Sequence, residues 1–462
     1  MSEDETYDVL IIGGGQAGVP LAHALAKAGK RVALAERERL GGSCVNFGCT
    51  PTKAVIASAR VAQLARRAFE FGLRISKVEV NFPAVLERAK GIATQSRAAL
   101  RQGMQHSDNP MLLRGHARFV GRKGRLFRLR VDRREVTAVQ VVLNTGTRSL
   151  FPRIDGLKAA DVLILHAGNW LEKPELPTHL AVLGGSYTGL EMAQFYRRMG
   201  SRVTVVDQGA QVTQREDPDV ALALQHFLES EDIAFRLNTR LTRVRRRSGR
   251  LVLTLREKGK LSRLEASHLF VAAGRKPNTD DLGLRGVGVK VSKEGIVGTD
   301  RRLATNVRGV WAAGDIRGGP MFTHTAWDDY RILLSQMNGN RSRTTDRIVP
   351  YAIYTDPQLG RVGMTETEAR RGKRKILVGR FEMRKNGKAR EIGEPEGFVK
   401  VIVDARTRRV LGASVLGAEG AELIHLFIDL MNAGAPCTVI RDGVYIHPTL
   451  AEAIQSAVSA LS

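Results

Sequence analysis

Two of the three cysteines, Cys44 and Cys49, lie close together in Gly41-Gly42-Ser43-Cys44-Val45-Asn46-Phe47-Gly48-Cys49-Thr50-Pro51-Thr52-Lys53. Thiols this near in sequence can form a disulfide once their Cα atoms come within roughly 7 Å. A regular helix, at about 100° per residue, puts them on different faces. The segment is therefore expected to be distorted locally, and Gly48 and Pro51 supply what that needs. Lys53 follows Cys49 by one helical turn and shares a face with its sulfur. A cation there lowers a thiol's pKa and favours the reactive thiolate. The same spacing also suits a pair of buried core cysteines. Zinc is disfavoured because a structural site needs about four ligands. Cys437 and the scattered histidines offer no second ligand pair at metal spacing.

The elements upstream say what the thiols sit beside. Tyr7-Asp8-Val9-Leu10-Ile11-Ile12 reads as an apolar strand that runs into Gly13-Gly14-Gly15-Gln16-Ala17-Gly18, followed by a helical pattern to Ala28. A second strand, residues 31–35, ends at Glu36. Strand, GxGxxG, helix and terminal acid form a dinucleotide fingerprint. The glycines Gly13, Gly15 and Gly18 permit the tight turn and close approach of a pyrophosphate, and Glu36 accepts from a ribose hydroxyl. The short gap between Glu36 and Cys44 places the dithiol close to whatever dinucleotide binds.

The run GGSCVNFGCTPTK resembles the redox motif of the class I pyridine nucleotide-disulfide oxidoreductases, which include dihydrolipoamide dehydrogenase, glutathione reductase and mercuric reductase. The resemblance extends over nearly the whole chain. It implies an α/β fold with two Rossmann-like domains, one for FAD and one for NAD, and an α+β dimerisation domain at the carboxy-terminal end. The expected division is 1–150 for the first FAD segment, 151–278 for the NAD(P) domain, 279–346 for the second FAD segment and 347–462 for dimerisation.

The second fingerprint is Ala181-Val182-Leu183, then Gly184-Gly185-Ser186-Tyr187-Thr188-Gly189, a helix, and a strand ending at Asp207. Glu36 stands 23 positions after Gly13, and Asp207 stands 23 after Gly184. Two dinucleotide sites in one chain suit a flavin plus a nicotinamide. Ser186 replaces the middle glycine, which weakens the motif without removing it. Asp207 would repel a 2′-phosphate, so NADH is favoured over NADPH.

The resemblance also assigns roles. Cys49 is the flavin-side thiol, Cys44 the thiol that attacks substrate, and Glu191 the partner of Lys53 beside the flavin. Tyr187 covers the nicotinamide pocket, Gly274 belongs to the segment returning from the NAD domain, and the backbone at Ala117 meets the adenine of FAD. Asp315, in Ala312-Ala313-Gly314-Asp315, holds the ribityl chain. Asn144-Thr145-Gly146 departs mildly from the family's Ala-Thr-Gly. His447, oriented by Glu452, would reach across a homodimer to the other subunit's dithiol. Thr449 and Glu452 also fit a capping box, a purely structural job. Cys437 is expected to be a buried small apolar residue and His324 structural.

Composition bounds the rest. The 462 residues carry a formal net charge of +25. In Arg125 to Val131, Arg128 and Arg130 alternate with Phe127, Leu129 and Val131, as in a half-buried strand. Arg243 to Leu255, with Ser248-Gly249 in the middle, reads as a hairpin with a basic wet face. A nucleic-acid partner is therefore not expected, and a basic field that draws in anionic substrates is. The acidic start (Ser2, Glu3, Asp4, Glu5) lacks the basic region of a signal peptide, and the uncharged run Val9 to Ala26 is explained by the fingerprint, not a membrane span. A cytoplasmic enzyme is the expectation, with no resident metal.

The substrate expected is a small disulfide or a metal ion. Phrases such as Gln194-Phe195-Tyr196-Arg197-Arg198-Met199-Gly200 and Ala389-Arg390-Glu391-Ile392-Gly393-Glu394 look most like the mercuric-reductase-like branch. No metal-carrier domain precedes the first fingerprint, and no cysteine pair stands near Ser462, so mercury handling by such a pair is not expected. Dihydrolipoamide dehydrogenase is the main rival. A basic interaction protein on a flavoprotein scaffold is the reading from another class, and it leaves the dithiol, lysine and histidine unexplained.

Overall fold

The computed structural model describes residues 5–105, 108–158 and 161–462. Ser2, Glu3 and Asp4 of the acidic start lie outside the described residues. The architecture is α/β, with two Rossmann-like folds and an α+β unit.

The first sheet is built on the strand Thr6–Ile12. Parallel partners flank it: Val32–Glu36 on one side and Arg134–Leu143 on the other. Met111–Arg114 extends the first side, and Val310–Ala312 returns from far along the chain to pair with residues 141–143. Val9, Leu10 and Ile11 are fully buried, because both faces of a parallel sheet are covered. The arginine-rich strand Leu126–Val131 joins antiparallel to Arg134–Leu143. It buries Phe127, Leu129 and Val131 as the alternation requires.

The second sheet repeats this plan. Its order is Ile233–Arg236, Arg202–Val206, His179–Leu183, His268–Val271, Ile164–His166, all parallel. An antiparallel meander, Thr239–Arg247, Arg250–Glu257 and Lys260–Ala266, is inserted before His268–Val271, the last of these strands in sequence. The hairpin expected at Ser248-Gly249 is its first turn. A third sheet, five-stranded and antiparallel, follows: Tyr351–Ile353, Gln358–Gly363, Val410–Gly417, Phe398–Asp404, Ile376–Glu382. Among the described residues no helix is long and apolar enough to cross a membrane.

Three helices hold the cysteine segment. α1 (Gly18–Lys27) follows the first glycine loop, α2 (Gly42–Asn46) carries Cys44, and α3 (Cys49–Arg66) begins at Cys49. α3 packs between α4 (Phe82–Gln105) and α5 (Tyr187–Met199). Phe82, Phe195, Tyr196 and Trp170 fill that junction with rings 4.8 to 6.2 Å apart.

A buried ion pair joins the second Rossmann-like fold to the third sheet. Arg361 Nε donates to Glu216 Oε2 at 2.9 Å, and each side chain is 2 % exposed. Its Nη1 donates to the carbonyls of Val362 and Ala413, and the Tyr351 hydroxyl donates to the other oxygen of Glu216. Burial pushes the Glu216 carboxyl above its usual range, against the pull of Arg361. Removing one partner strands a buried charge, which typically costs about 3–5 kcal/mol. Arg361→Met should therefore lower the thermal midpoint sharply, whereas Arg380→Met, at a half-exposed pair with Asp219, should change stability by less than about 1 kcal/mol. Equal midpoints for the two variants would refute the ranking.

Candidate functional site

The cysteine segment is broken, as expected, and the break lies between α2 and α3. Gly48 N donates to Ser43 O at 2.7 Å, and a Cβ on Gly48 would approach that oxygen to 2.8 Å. Trp170, fully buried, donates its indole N–H to the Phe47 carbonyl at 3.0 Å. Pro51 falls in the first turn of α3, where its missing N–H is harmless. Both cysteines are thiols, and Cys44 hydrogen-bonds Cys49.

The two thiols differ in acidity. The hydrogen bond to Cys49 and burial both push Cys44 far above the usual thiol range. Cys49 is lowered to about 6, first by the Cys44 S–H, then by the hydroxyl of Thr323 and the charge of Lys53, against the opposing effect of burial. Thr323 Oγ1 lies 3.2 Å from its sulfur. Cys49 is exposed, but into a cleft whose walls surround it. Lys53 Nζ binds Glu191 Oε2 at 2.8 Å and lies 4.5 Å from the centre of the Tyr354 ring. Burial pulls the lysine down, and the carboxylate of Glu191 more than offsets it, so Lys53 is raised. Glu191 is 3 % exposed and its second oxygen accepts the Tyr354 N–H at 2.9 Å.

The cleft has a volume of about 470 Å³. Gly13, Gly15, Glu36, Ala117, Tyr187, Glu191 and Asp315 line it together with Cys44, Cys49 and Lys53. Gly18 packs beneath: a Cβ there would be 2.0 Å from Gly13 O. Glu36 Oε2 accepts from Gly14 N at 2.7 Å. Asn144, the departure from the family pattern, donates its amide to Gly13 O at 3.1 Å and so braces the loop. With the glycines this tight, the first-turn N–H groups of α1 face a bare backbone cradle, the arrangement that takes a pyrophosphate. The residues fit FAD.

The second fold duplicates the cradle. A Cβ on Gly189 would lie 1.9 Å from Gly184 O, and Asp207 Oδ2 accepts from Gly185 N at 2.6 Å. Among the described residues no lysine or arginine reaches salt-bridge distance of Asp207, which instead accepts from Gly209 N and Gln214. Gly184, Gly189, Asp207 and Gly274 do not line the cleft that holds the dithiol. Tyr187 does, with its ring 6.1 Å from that of Phe322.

His447 and Glu452 also lie apart from the cleft. His447 Nδ1 is 3.0 Å from Glu452 Oε1, and its side chain is 77 % exposed. Only half of the capping box forms. Glu452 Oε2 accepts from Thr449 N at 2.8 Å, but the Thr449 hydroxyl donates to Ile446 O. The helix begins at Glu452, too late for Thr449 to be its cap. Cys437 is buried. His324 lines the cleft, with Nε2 2.7 Å from the Pro350 carbonyl. Sequence reasoning missed Thr323, Tyr354, Trp170 and Arg275, which approaches Asp315 to 3.4 Å. Thr323 and Arg275 flank or fall in motifs noticed in the sequence, but their contacts are long-range.

The family model for pyridine nucleotide-disulphide oxidoreductases matches residues 7–329, and that for their dimerisation domain matches 349–458. The chain belongs to this family. It is an enzyme of a flavoprotein family and carries a dimerisation domain. Among similar proteins, the probable pyridine nucleotide-disulfide oxidoreductase RclA of Escherichia coli is 32% identical over 97% of this chain and 98% of its own length. The dihydrolipoyl dehydrogenase of Cupriavidus necator is 31% identical over 98% of both chains. A solved structure of the HOCl-induced flavoprotein disulfide reductase RclA from Escherichia coli superposes with a TM-score of 0.89 at 31% identity, covering 98% of this chain and 99% of that one.

The thiol asymmetry is measurable. In the reduced protein, iodoacetamide should alkylate Cys49 with a rate that rises as the thiol ionises, with an inflection near pH 6. Cys44→Ala removes the largest lowering cause, so the inflection should move up towards the ordinary value of about 8.5. An unmoved inflection would show that the Cys44 S–H does not set the acidity of Cys49.

Proposed function

We propose that the chain is an FAD-dependent, NADH-using disulfide reductase that works as a homodimer, with Cys44 and Cys49 as its redox-active pair. The observation that carries this reading is the unequal thiol pair beside the Lys53–Glu191 ion pair in a cleft that fits FAD. FAD would lie against Gly13, Gly15, Glu36, Ala117 and Asp315, and would supply hydride acceptance from nicotinamide and electron-pair delivery to the dithiol. Gly184, Gly189 and Asp207 would hold NADH, with Tyr187 and Gly274 towards the nicotinamide. The division at residues 150, 278 and 346 is part of the same reading.

For a disulfide substrate the chain's residues act in sequence. Cys44 gives up its proton to a base, and its sulfur attacks one substrate sulfur, which releases the other as a thiolate. The protonated base returns the proton to that thiolate. The Cys49 thiolate then attacks the Cys44 sulfur, closing the protein disulfide and expelling the second substrate thiolate. The base is the missing part. His324 is tied to the Pro350 carbonyl and His116 sits beside Asp281. His447, held by Glu452 and exposed, serves as that base from the partner subunit. Glu452 is held below its usual range by the Thr449 N–H and by His447.

The substrate is a small disulfide or a metal ion, in the manner of the mercuric-reductase-like branch. The solved Escherichia coli RclA described as a Cu(II) complex supports a metal ion. The lipoamide reading is favoured by the dihydrolipoyl dehydrogenases, which match at about the same identity.

Rates of NADH oxidation with Cu²⁺, Hg²⁺, lipoamide and glutathione disulfide should rank a metal ion first, and fast lipoamide turnover alone would reverse that order. NADH should outperform NADPH, and Asp207→Ala should narrow the gap. An NADPH preference in the unmodified protein would sink the assignment of Asp207.

The partner's role has its own test. Cys44→Ser and His447→Ala proteins should each be nearly inactive. Dissociated and reassembled together, they should recover about one quarter of full activity, because half the dimers are mixed and each has one competent site. No recovery would place the base within one subunit.

A further inference from the structure

A second pocket, of about 440 Å³, adjoins the first along the loop that joins Glu36 to α2, and Glu36, Arg37, Glu38 and Arg39 line both. Arg37 and Arg39 come from that loop, Arg97 and Arg101 from α4, and Arg114 from the edge strand Met111–Arg114. Arg97 and Arg101 stand one turn apart on the same face of α4. Five guanidinium groups share one concavity with two carboxylates, Glu36 and Glu38. Glu36 is committed to the N–H groups of Gly14 and Glu38, and Glu38 lies 3.5 Å from Arg37. Among the described residues Arg39, Arg97, Arg101 and Arg114 have no carboxylate at salt-bridge distance.

Arg97 is also oriented. It is half-buried, with Nη1 donating to Asn46 Oδ1 at 3.3 Å and Nη2 to Thr94 Oγ1 at 2.7 Å. Asn46 is itself buried and donates to the carbonyls of Leu40 and Gly42. Arg97 is therefore fixed to the turn that carries Cys44. Unmatched guanidinium groups converging on a concave surface make an anion site, because their planar forks pair with phosphate oxygens. The volume is that of a small-molecule site and too small for a macromolecular face.

We infer that this pocket binds a compact, multiply charged phosphate compound, either a free polyphosphate or the phosphate tail of a nucleotide. The site shares the loop from Glu36 to Arg39 with the cleft that fits FAD, whereas Arg97, Arg101 and Arg114 line the second pocket alone, and it does not depend on which substrate the enzyme reduces.

The test is calorimetric titration of the FAD-loaded protein, held in excess NAD⁺ to fill the second cradle, with sodium tripolyphosphate, and separately with ATP, at fixed ionic strength. One saturable site per chain is expected. Arg97→Gln/Arg101→Gln should weaken it about tenfold or more, since each lost bond joins two charged groups. Arg245→Gln/Arg247→Gln, which removes the same charge from the exposed hairpin, should leave the affinity unchanged. Binding of both probes assigns the phosphate chain as the recognised part, and markedly tighter ATP binding assigns a nucleotide. Flavin absorbance reports that each variant is folded, and Arg101→Gln alone makes the same test should the double variant lose its flavin. Absence of saturable binding, or equal weakening by the α4 and hairpin substitutions, would overturn the assignment and leave only a diffuse effect of the net charge.

Discussion

The site depends on one interruption of helical geometry. Were residues 42–66 a continuous helix, Cys44 and Cys49 would point to different sides and could not meet. The break at Phe47-Gly48 turns them together. It is held at both residues: Gly48 N by the Ser43 carbonyl, and the Phe47 carbonyl by the indole of Trp170. Trp170 belongs to the second Rossmann-like fold and packs against Phe195 of α5. The reach between the thiols is thus fixed by the docking of one nucleotide fold on the other. The same docking delivers Glu191, on α5, to Lys53 on α3.

The two nucleotide folds solve one problem twice with different side chains. In both, the last glycine of the loop lies so near the first glycine's carbonyl that any Cβ would collide, and an acid at the next strand's end receives a loop N–H. They differ in what backs the loop. In the first, the Asn144 amide fills the space beside Gly15 and Gly18 and bonds Gly13 O. In the second, the Ala272 carbonyl lies against Gly184 as the Asn144 carbonyl lies against Gly13, but Ala272 brings no side-chain amide. The asparagine that departs from the family pattern therefore does structural work that an alanine could not.

Much of this was legible in the sequence because it is written in short spacings. The glycine loops, the acids 23 residues on, the dithiol and its lysine all lie within segments of a few turns, where local geometry decides who meets whom. The alternation around Phe127 and the turn at Ser248-Gly249 were legible for the same reason. What stayed hidden is contact across long separations. Thr323 reaches Cys49 from 274 residues away, and Glu216 meets Arg361 across 145. No periodicity encodes such pairs. The capping box at Thr449 failed for a different reason: the motif is right but the helix starts three residues later, so only the Glu452 half can form.

The thiol pair also carries a consequence of how its acidity is divided. Lys53 and Glu191 act on Cys49 with opposite signs, so as an ion pair they partly cancel at its sulfur. The Cys44 S–H is the largest lowering cause, with the Thr323 hydroxyl next among those that lower it. The stability of the Cys49 thiolate is therefore tied to the state of Cys44. Once Cys44 bonds to any electrophile its S–H is gone, and Cys49 loses its main donor. A thiolate relieved of a hydrogen bond is a stronger nucleophile, since nucleophilicity rises with the pKa of the conjugate thiol. Engagement of Cys44 thus raises the nucleophilicity of each Cys49 thiolate but lowers the fraction of Cys49 that is ionised near neutral pH, and the Thr323 hydroxyl and the Lys53 charge are what remain to keep the thiolate populated for attack on the Cys44 sulfur.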